Sequence, residues 1–255
     1  MLREYRADLH IHTCLSPCAS LDLSPRKIVE RAREERLEII AVTDHNSARN
    51  VRVVAGLGEG LGLKVIAGME VQTREEIHLL TLFPGWEAMA PWEEEVYRHL
   101  PDVKNDPEVF GDQPVVDEEG NILAFEDRLL INSLDLSLEE VIQGVEERGG
   151  LVIPSHFNKG SFSLISQLGM FPPHLELEAL EMTRRTELGG SGLPVDPPPS
   201  IPRVLSSDSH TPEDIGSAYT VLLLAVPSLQ EMRLAFRGRE GRRVVRRVDR
   251  GVLVL

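Results

Sequence analysis

Residues 24–46 read SPRKIVERAREERLEIIAVTDHN, and this stretch decides the fold class. Ser24 is a helix N-cap with Pro25 at the first helical position, and an amphipathic run continues to Arg36. Leu37 to Thr43 (LEIIAVT) is then a short, continuous apolar run, the mark of a buried strand. The pair is one helix-strand unit of an α/β protein. Outward from it, the same rhythm gives strands over 64–71, 77–83, 151–155, 177–182, 204–207 and 220–226. Helices are expected over 137–148 and from the Ser228 cap to about 236, and VVRRV-DRG-VLVL closes the chain as a hairpin. Strands alternating with helices imply a largely parallel sheet. Residues 84 to about 135 break the rhythm with a helical stretch (86–99), polar turns and a hairpin signal at VVDEEGNIL, and read as a cap inserted after one strand. Pro194 to Pro202 reads as a stiff connector.

A chain of 255 residues with 42% hydrophobic residues is expected to form one domain with a large core. Its formal net charge of −14 argues against a stable complex with a phosphate backbone. The basic cluster Arg237, Arg239, Arg242, Arg243, Arg246, Arg247 and Arg250 lacks interleaved aromatics and reads as a solvated face. Neither a signal sequence nor a run of about 18 apolar residues occurs, so a cytoplasmic protein with no membrane partner is expected. Cys14 and Cys18 are too few and too close for a disulfide framework.

The chemistry is carried by histidines and carboxylates at strand ends. Asp8-Leu9-His10-Ile11-His12-Thr13 puts two histidines on one face of a strand, a metal-gripping arrangement. His45 follows IIAVTD, Glu70 follows VIAGM, His156 follows LVIPS, and Asp208 and His210 follow VLSS. In barrel architectures the strand ends deliver such side chains to one point. His78 begins the run HLLTLF, while His99 and His174 fit no motif and read as surface positions.

DLHIHT, TDHN at 43–46, the Glu of GME, the His of PSH and SDSH at 207–210 together resemble the PHP (polymerase and histidinol phosphatase) family across nearly the whole chain. The resemblance implies a distorted (β/α)7 barrel, two or three divalent transition-metal ions (zinc, iron or manganese) and phosphoesterase activity. It implies that His10, His12, Glu70 and Asp208 surround a first ion, and that Glu70 bridges to a second held by His78 and His156. A third would take His45 and His210, with Cys18 at the family position six residues after His12. A thiolate there favours zinc or ferrous iron over magnesium, whereas Cys14 is out of register and reads as packing.

Paired cations about 3.5–4 Å apart activate water at neutral pH and neutralise phosphoryl oxygens. The expectation is thus a phosphohydrolase of a small metabolite, nucleotide or short oligonucleotide, using a metal-activated hydroxide. Histidinol phosphatase and an inactive metal-binding interaction module are the alternatives. Glu70, Asp44 and Asp208 are the candidate catalytic residues. Asp8 and Asp44 would orient histidine N–H groups, and Asp44 could instead protonate the leaving group. Arg184, Arg185 and Lys159 are candidates to clamp phosphate.

Overall fold

The computed structural model describes residues 1–182 and 198–254. Strand β1 (Arg3–Ile11) is exposed at its start and buried through Ile11. It leads by a loop to α1 (Pro25–Glu34), which is capped by the Ser24 hydroxyl accepting from Lys27 N and buries Ile28, Val29 and Ala32. β2 (Ile39–Val42) is buried throughout, as expected for a central strand. Next come α2 (Val51–Glu59), β3 (Lys64–Gln72), β4 (His78–Phe83), α3 (Trp86–His99), α4 (Pro107–Phe110), β5 (Pro114–Val116) and β6 (Ile122–Phe125). The chain continues through α5 (Leu138–Glu147), β7 (Leu151–Pro154), α6 (Leu164–Leu168), β8 (Leu180–Met182), β9 (Arg203–Leu205), β10 (Ala218–Leu224), α7 (Leu229–Phe236), β11 (Arg243–Asp249) and β12 (Val252–Val254). Ser137 and Glu140 form a reciprocal capping box on α5. Arg250 and Gly251, with φ of 46° and 77°, make the tight β11–β12 turn.

The main sheet has eight strands in the order β12-β11-β10-β1-β2-β3-β4-β7. Its direction corrects the expectation of a largely parallel sheet. Only β1–β2 and β2–β3 are parallel within it, while β3–β4, β4–β7, β1–β10, β10–β11 and β11–β12 are antiparallel. The cause at β3–β4 is a turn too short for a helical crossover: Thr73 N donates to Ile77 O at 2.9 Å, with Glu76 at a φ of 61°. The parallel pair β8–β9 forms its own small sheet. It is tied to β10 by Leu205 N donating to Thr220 Oγ1 (2.8 Å) and Thr220 Oγ1 donating to Leu205 O (2.9 Å).

Two apolar cores follow from this curl. One gathers Leu9, Ala41, Ile66, Leu80, Ile153, Ala179, Val204 and Leu222, so that strands from both ends of the order meet on a common face. The other packs residues of α1, α2, α3 and α5 against the opposite faces. Residues 84–135 are not a free appendage: Trp92 of α3 is buried, its Nε1 donates to Thr81 Oγ1 of β4 at 3.2 Å, and its ring lies 6.4 Å from that of Phe83. Among the described residues no helix is long and apolar enough to cross a membrane.

Candidate metal centre

The ends of β1, β2 and β3 converge. A parallel bridge joins Ile11 to Ser209, and another joins His45 to Glu70. His12 N donates to Ser209 O (3.2 Å) and Ser209 N to His10 O (3.3 Å), which brings the first and last motifs together across 199 positions. Glu70 N donates to Asp44 O and Asn46 N to Glu70 O, both at 3.0 Å. Because β4 runs back along β3, His78 arrives at the start of its strand opposite Gln72, on the same edge as Glu70. Three residues here sit in the left-handed region, Asn46 (φ 46°), His156 (33°) and Asp208 (51°), a costly conformation for residues with a Cβ that clusters at functional sites.

His10 Nε2, His12 Nε2, Glu70 Oε2 and Asp208 Oδ1 form a compact group. The His10–His12 separation is 3.2 Å, His10 lies 3.4 Å from Glu70 and 3.3 Å from Asp208, and His12 lies 3.6 and 3.5 Å from the same two oxygens. Ligands about 2.1 Å from a tetrahedral ion are separated by roughly 3.4 Å. The other side of Glu70 is similar, with Oε1 3.2 Å from His78 Nδ1 and 3.5 Å from His156 Nε2. His45 Nδ1 is 3.4 Å from Oε2. A third grouping joins His12, His45 and His210.

Hydrogen bonding behind the rings fixes which nitrogens face inward. Ser16 Oγ donates to Asp44 Oδ1 (2.6 Å), so it accepts from His12 Nδ1 at 3.0 Å, which turns His12 Nε2 toward Glu70 and Asp208. His78 Nε2 donates to Gln72 Oε1 (3.1 Å) and His210 Nδ1 to the Asp208 carbonyl (2.9 Å). His45 Nδ1, His78 Nδ1 and Glu70 Oε1 are buried without a hydrogen-bond partner among the described residues. Buried polar atoms rarely go unpaired. Inward lone pairs and carboxylate oxygens at coordination spacing fit divalent ions.

The electrostatics agree. Burial alone would raise the Glu70 carboxyl, but His10 and His78 hold it well below the usual range. Burial opposes a charged His10, yet Glu70, Glu181 and Asp208 push its pKa well up, so the pocket attracts positive charge. Burial lowers His45 strongly and lowers His78 and His210, keeping their ligand nitrogens free of protons at neutral pH.

Around this group the expected residues fall unevenly. Lys159 Nζ is 3.8 Å from Asp208 Oδ2, half-exposed at the rim. Arg184 and Arg185 lie outside the described residues, as do positions 194–197 of the proline-rich connector. Cys18 is exposed, and its sulfur is not among the ligand atoms that gather within 4.8 Å in the described residues. Burial, then Glu70 and Asp208, push its thiol up to about 12. Cys14 is buried and its Sγ meets Asn50 Nδ2 at 3.8 Å. Asp8 is engaged by backbone: its oxygens accept from Ser207 N (2.9 Å) and Gly216 N (3.0 Å), and the His10 backbone also bonds its carboxyl. Asp44 accepts from Thr13 N, Thr13 Oγ1 and Ser16 Oγ, which places it behind His12 with both oxygens engaged.

Sequence reasoning passed over Glu181 and Asn46. Glu181 Oε2 sits 3.0 Å from His10 Nδ1; its only signal was a carboxylate inside the apolar run LEALEM. Asn46 Nδ2 donates to the carbonyls of Leu130 (2.7 Å) and Asn132 (2.8 Å), fastening the chain next to His45 to residues 130–132.

The model of the PHP domain matches residues 8–129, and that of the PHP-associated region matches 200–240. The chain belongs to the PHP family. Among its curated relatives, an uncharacterized protein of Methanocaldococcus jannaschii is 34% identical over 79 residues, covering 28% of this chain and 46% of that protein. Phosphoribosyl 1,2-cyclic phosphate 1,2-diphosphodiesterase of Eggerthella lenta is 30% identical over 89 residues, covering 33% and 32%. The fold is shared with the lesion-specific endonuclease Q of Pyrococcus furiosus (TM-score 0.70, 20% identity, 97% of this chain and 59% of that one). It is shared equally with endonuclease Q in complex with a 27-mer duplex carrying an abasic lesion at the active site (TM-score 0.71, 19% identity, 97% and 60%). This chain thus spans under two thirds of the length of each.

The endonuclease Q complex corrects the expectation of a small phosphorylated substrate and no stable nucleic-acid complex. Endonuclease Q, which shares this fold over 60% of its length, is seen in complex with a 27-mer duplex. Net charge is a sum over the whole surface, whereas a metal cluster is the largest local charge where phosphate binds, so a total of −14 does not decide the partner.

Proposed function

We propose that the chain is a metal-dependent hydrolase of phosphodiester bonds in nucleic acid. One observation carries the metal reading: Glu70 divides its oxygens between two histidine sets, Oε2 facing His10, His12 and His45 and Oε1 facing His78 and His156. A buried carboxylate so placed suits a bridge. His10, His12, Glu70 and Asp208 would hold one ion, Glu70, His78 and His156 a second, and His45, His210 and Cys18 a third. When bound, such ions polarise phosphoryl oxygens and lower the pKa of water. Lys159 is placed to meet a phosphate oxygen beside Asp208, Asp44 to hold His12 through Ser16, and Asn46 to hold the His45 loop. The fold shared with endonuclease Q along 97% of this chain supports nucleic acid as the substrate class. Residues 84–135 are read as a cap on a single 1–255 domain, since a cleft of about 580 Å³ lies between Asn46 and Arg49 on one side and Glu93, Tyr97 and Glu126 on the other.

Two tests follow. Reconstituted protein is expected to carry about two to three zinc, iron or manganese ions per chain, and chelation is expected to abolish hydrolysis. Given duplexes with an abasic site, single strands, nucleoside monophosphates and histidinol phosphate, it is expected to cut an oligonucleotide. Fewer than about one ion after reconstitution would remove the metal reading; turnover confined to the monophosphates would remove the nucleic-acid one.

Cys18 gives a third test. Its thiol borders carboxylates that suppress ionisation, and a neighbouring cation would reverse that shift, since the thiolate is the ligand form. The loop also meets His210 through Ser20 N donating to His210 O at 2.8 Å. Cys18→Ser is expected to lower metal content and activity together, while Cys14→Ser leaves both near wild type. Full metal content and turnover in Cys18→Ser would exclude the thiol as a ligand.

A further inference from the structure

Glu181 belongs to none of the ligand groups described above, yet it is buried against two of them. Its Oε2 lies 3.0 Å from His10 Nδ1, whose ring presents Nε2 to the Oε2 side of Glu70. The same Oε2 accepts from the backbone N of His156, again at 3.0 Å, and the His156 ring presents Nε2 to Glu70 Oε1. The Glu181 carbonyl accepts from Phe157 N at 2.7 Å, so the 156–157 loop is fastened to β8 twice. His156 has a φ of 33°, a conformation that persists only where surrounding contacts impose it. The other oxygen, Oε1, is buried with no hydrogen-bond partner among the described residues. Retaining a desolvated carboxylate in that state is unfavourable unless positive charge lies close by.

From this geometry we infer that Glu181 is a positioning residue serving both halves of the metal centre at once. Accepting from His10 Nδ1 keeps the proton on that nitrogen and the lone pair on Nε2, aimed at Glu70 and Asp208. Accepting from His156 N holds the left-handed turn that points this histidine at the opposite oxygen of Glu70. The carboxylate also adds negative charge behind both. A single side chain therefore sets the affinity of two ions that Glu70 separates. The inference rests on the metal reading given under Proposed function.

The test compares zinc binding by wild type, Glu181→Gln and Glu181→Ala, by competition with a chromophoric chelator, with elemental analysis and far-UV circular dichroism on the same samples. Gln keeps a carbonyl oxygen able to accept both N–H groups and loses only the charge; Ala loses both. Affinity is expected to fall about 10-fold in Glu181→Gln and about 100-fold in Glu181→Ala, for the tighter and the weaker ion alike, in protein that remains folded. If Glu181→Ala does not fold, the near-isosteric Glu181→Gln decides. Wild-type affinity for both ions in folded Glu181→Gln, or weakening of one ion only, overturns the inference while leaving the metal centre standing. A wild-type chain that binds no zinc overturns the centre itself and this inference with it.

Discussion

Glu70→Gln is expected to lower phosphodiester turnover by roughly 10³-fold or more, because an amide presents a carbonyl to one histidine set and N–H donors to the other, and donors repel a cation. Both sides of the carboxylate are committed, with five imidazole nitrogens between 3.2 and 3.6 Å from its two oxygens. Metal content is expected to fall with activity. The fold should survive, since the substitution is isosteric and removes a buried charge rather than adding one. Circular dichroism, elemental analysis and steady-state turnover on one preparation settle the matter. Near-normal turnover would mean that Asp208 or another carboxylate bridges instead.

Trp92→Ala is expected to destabilise the protein by about 3–5 kcal/mol, the range for truncating a fully buried large aromatic. Trp92 lies against Phe83 and bonds Thr81 on β4, and a Cβ on Gly144 of α5 would come within 2.6 Å of its ring. The vacated space is walled by a strand and a helix that cannot both close on it. Thr81 lies on β4, the strand that begins at His78, so metal affinity should weaken along with stability. The shift in urea midpoint at unchanged slope measures the first effect. A loss under about 1 kcal/mol would show that the 84–135 segment contributes little to the fold and stands apart from the sheet.

What was legible in the sequence had local causes. Ser24, Ser137 and Ser228 mark the starts of α1, α5 and α7 because each hydroxyl caps within its own first turn. The apolar runs marked β2, β3, β4, β7 and β10 to within a few residues, and the gathering of His10, His12, His45 and His210 was legible because strand ends in a curled sheet share one rim. Strand direction was not legible: it depends on whether a connection turns back at once, as Thr73–Ile77 does, and periodicity is the same for both directions. α2 was missed because the run from Val51 carries Gly56 and Gly58 and lacks a side-chain cap, so it owes its form to packing on β3. Glu181 was missed because a buried acid in an apolar run has no partner visible nearby in sequence; its partners are 25 and 171 positions away. The inference from net charge to substrate failed because a sum over the whole chain carries no information about one rim.

The pairing of β1 with β10 has a kinetic meaning. Residues from Lys64 to Pro154 already include Glu70 and His78, joined by a five-residue turn, and the antiparallel β4–β7 pair that delivers His156. Closing that interval costs little chain entropy. His10 and His12, by contrast, meet Asp208 only after β1 and β10 have found each other across some 200 positions of chain. A nascent or partly refolded chain is therefore expected to bring Glu70, His78 and His156 together first, and to gather His10 and His12 with Asp208 later. Metal added during refolding should therefore act in two stages, on the early hairpin that carries Glu70 and His78 and again on the late closure that brings in His10 and His12, after which the closed state reopens slowly.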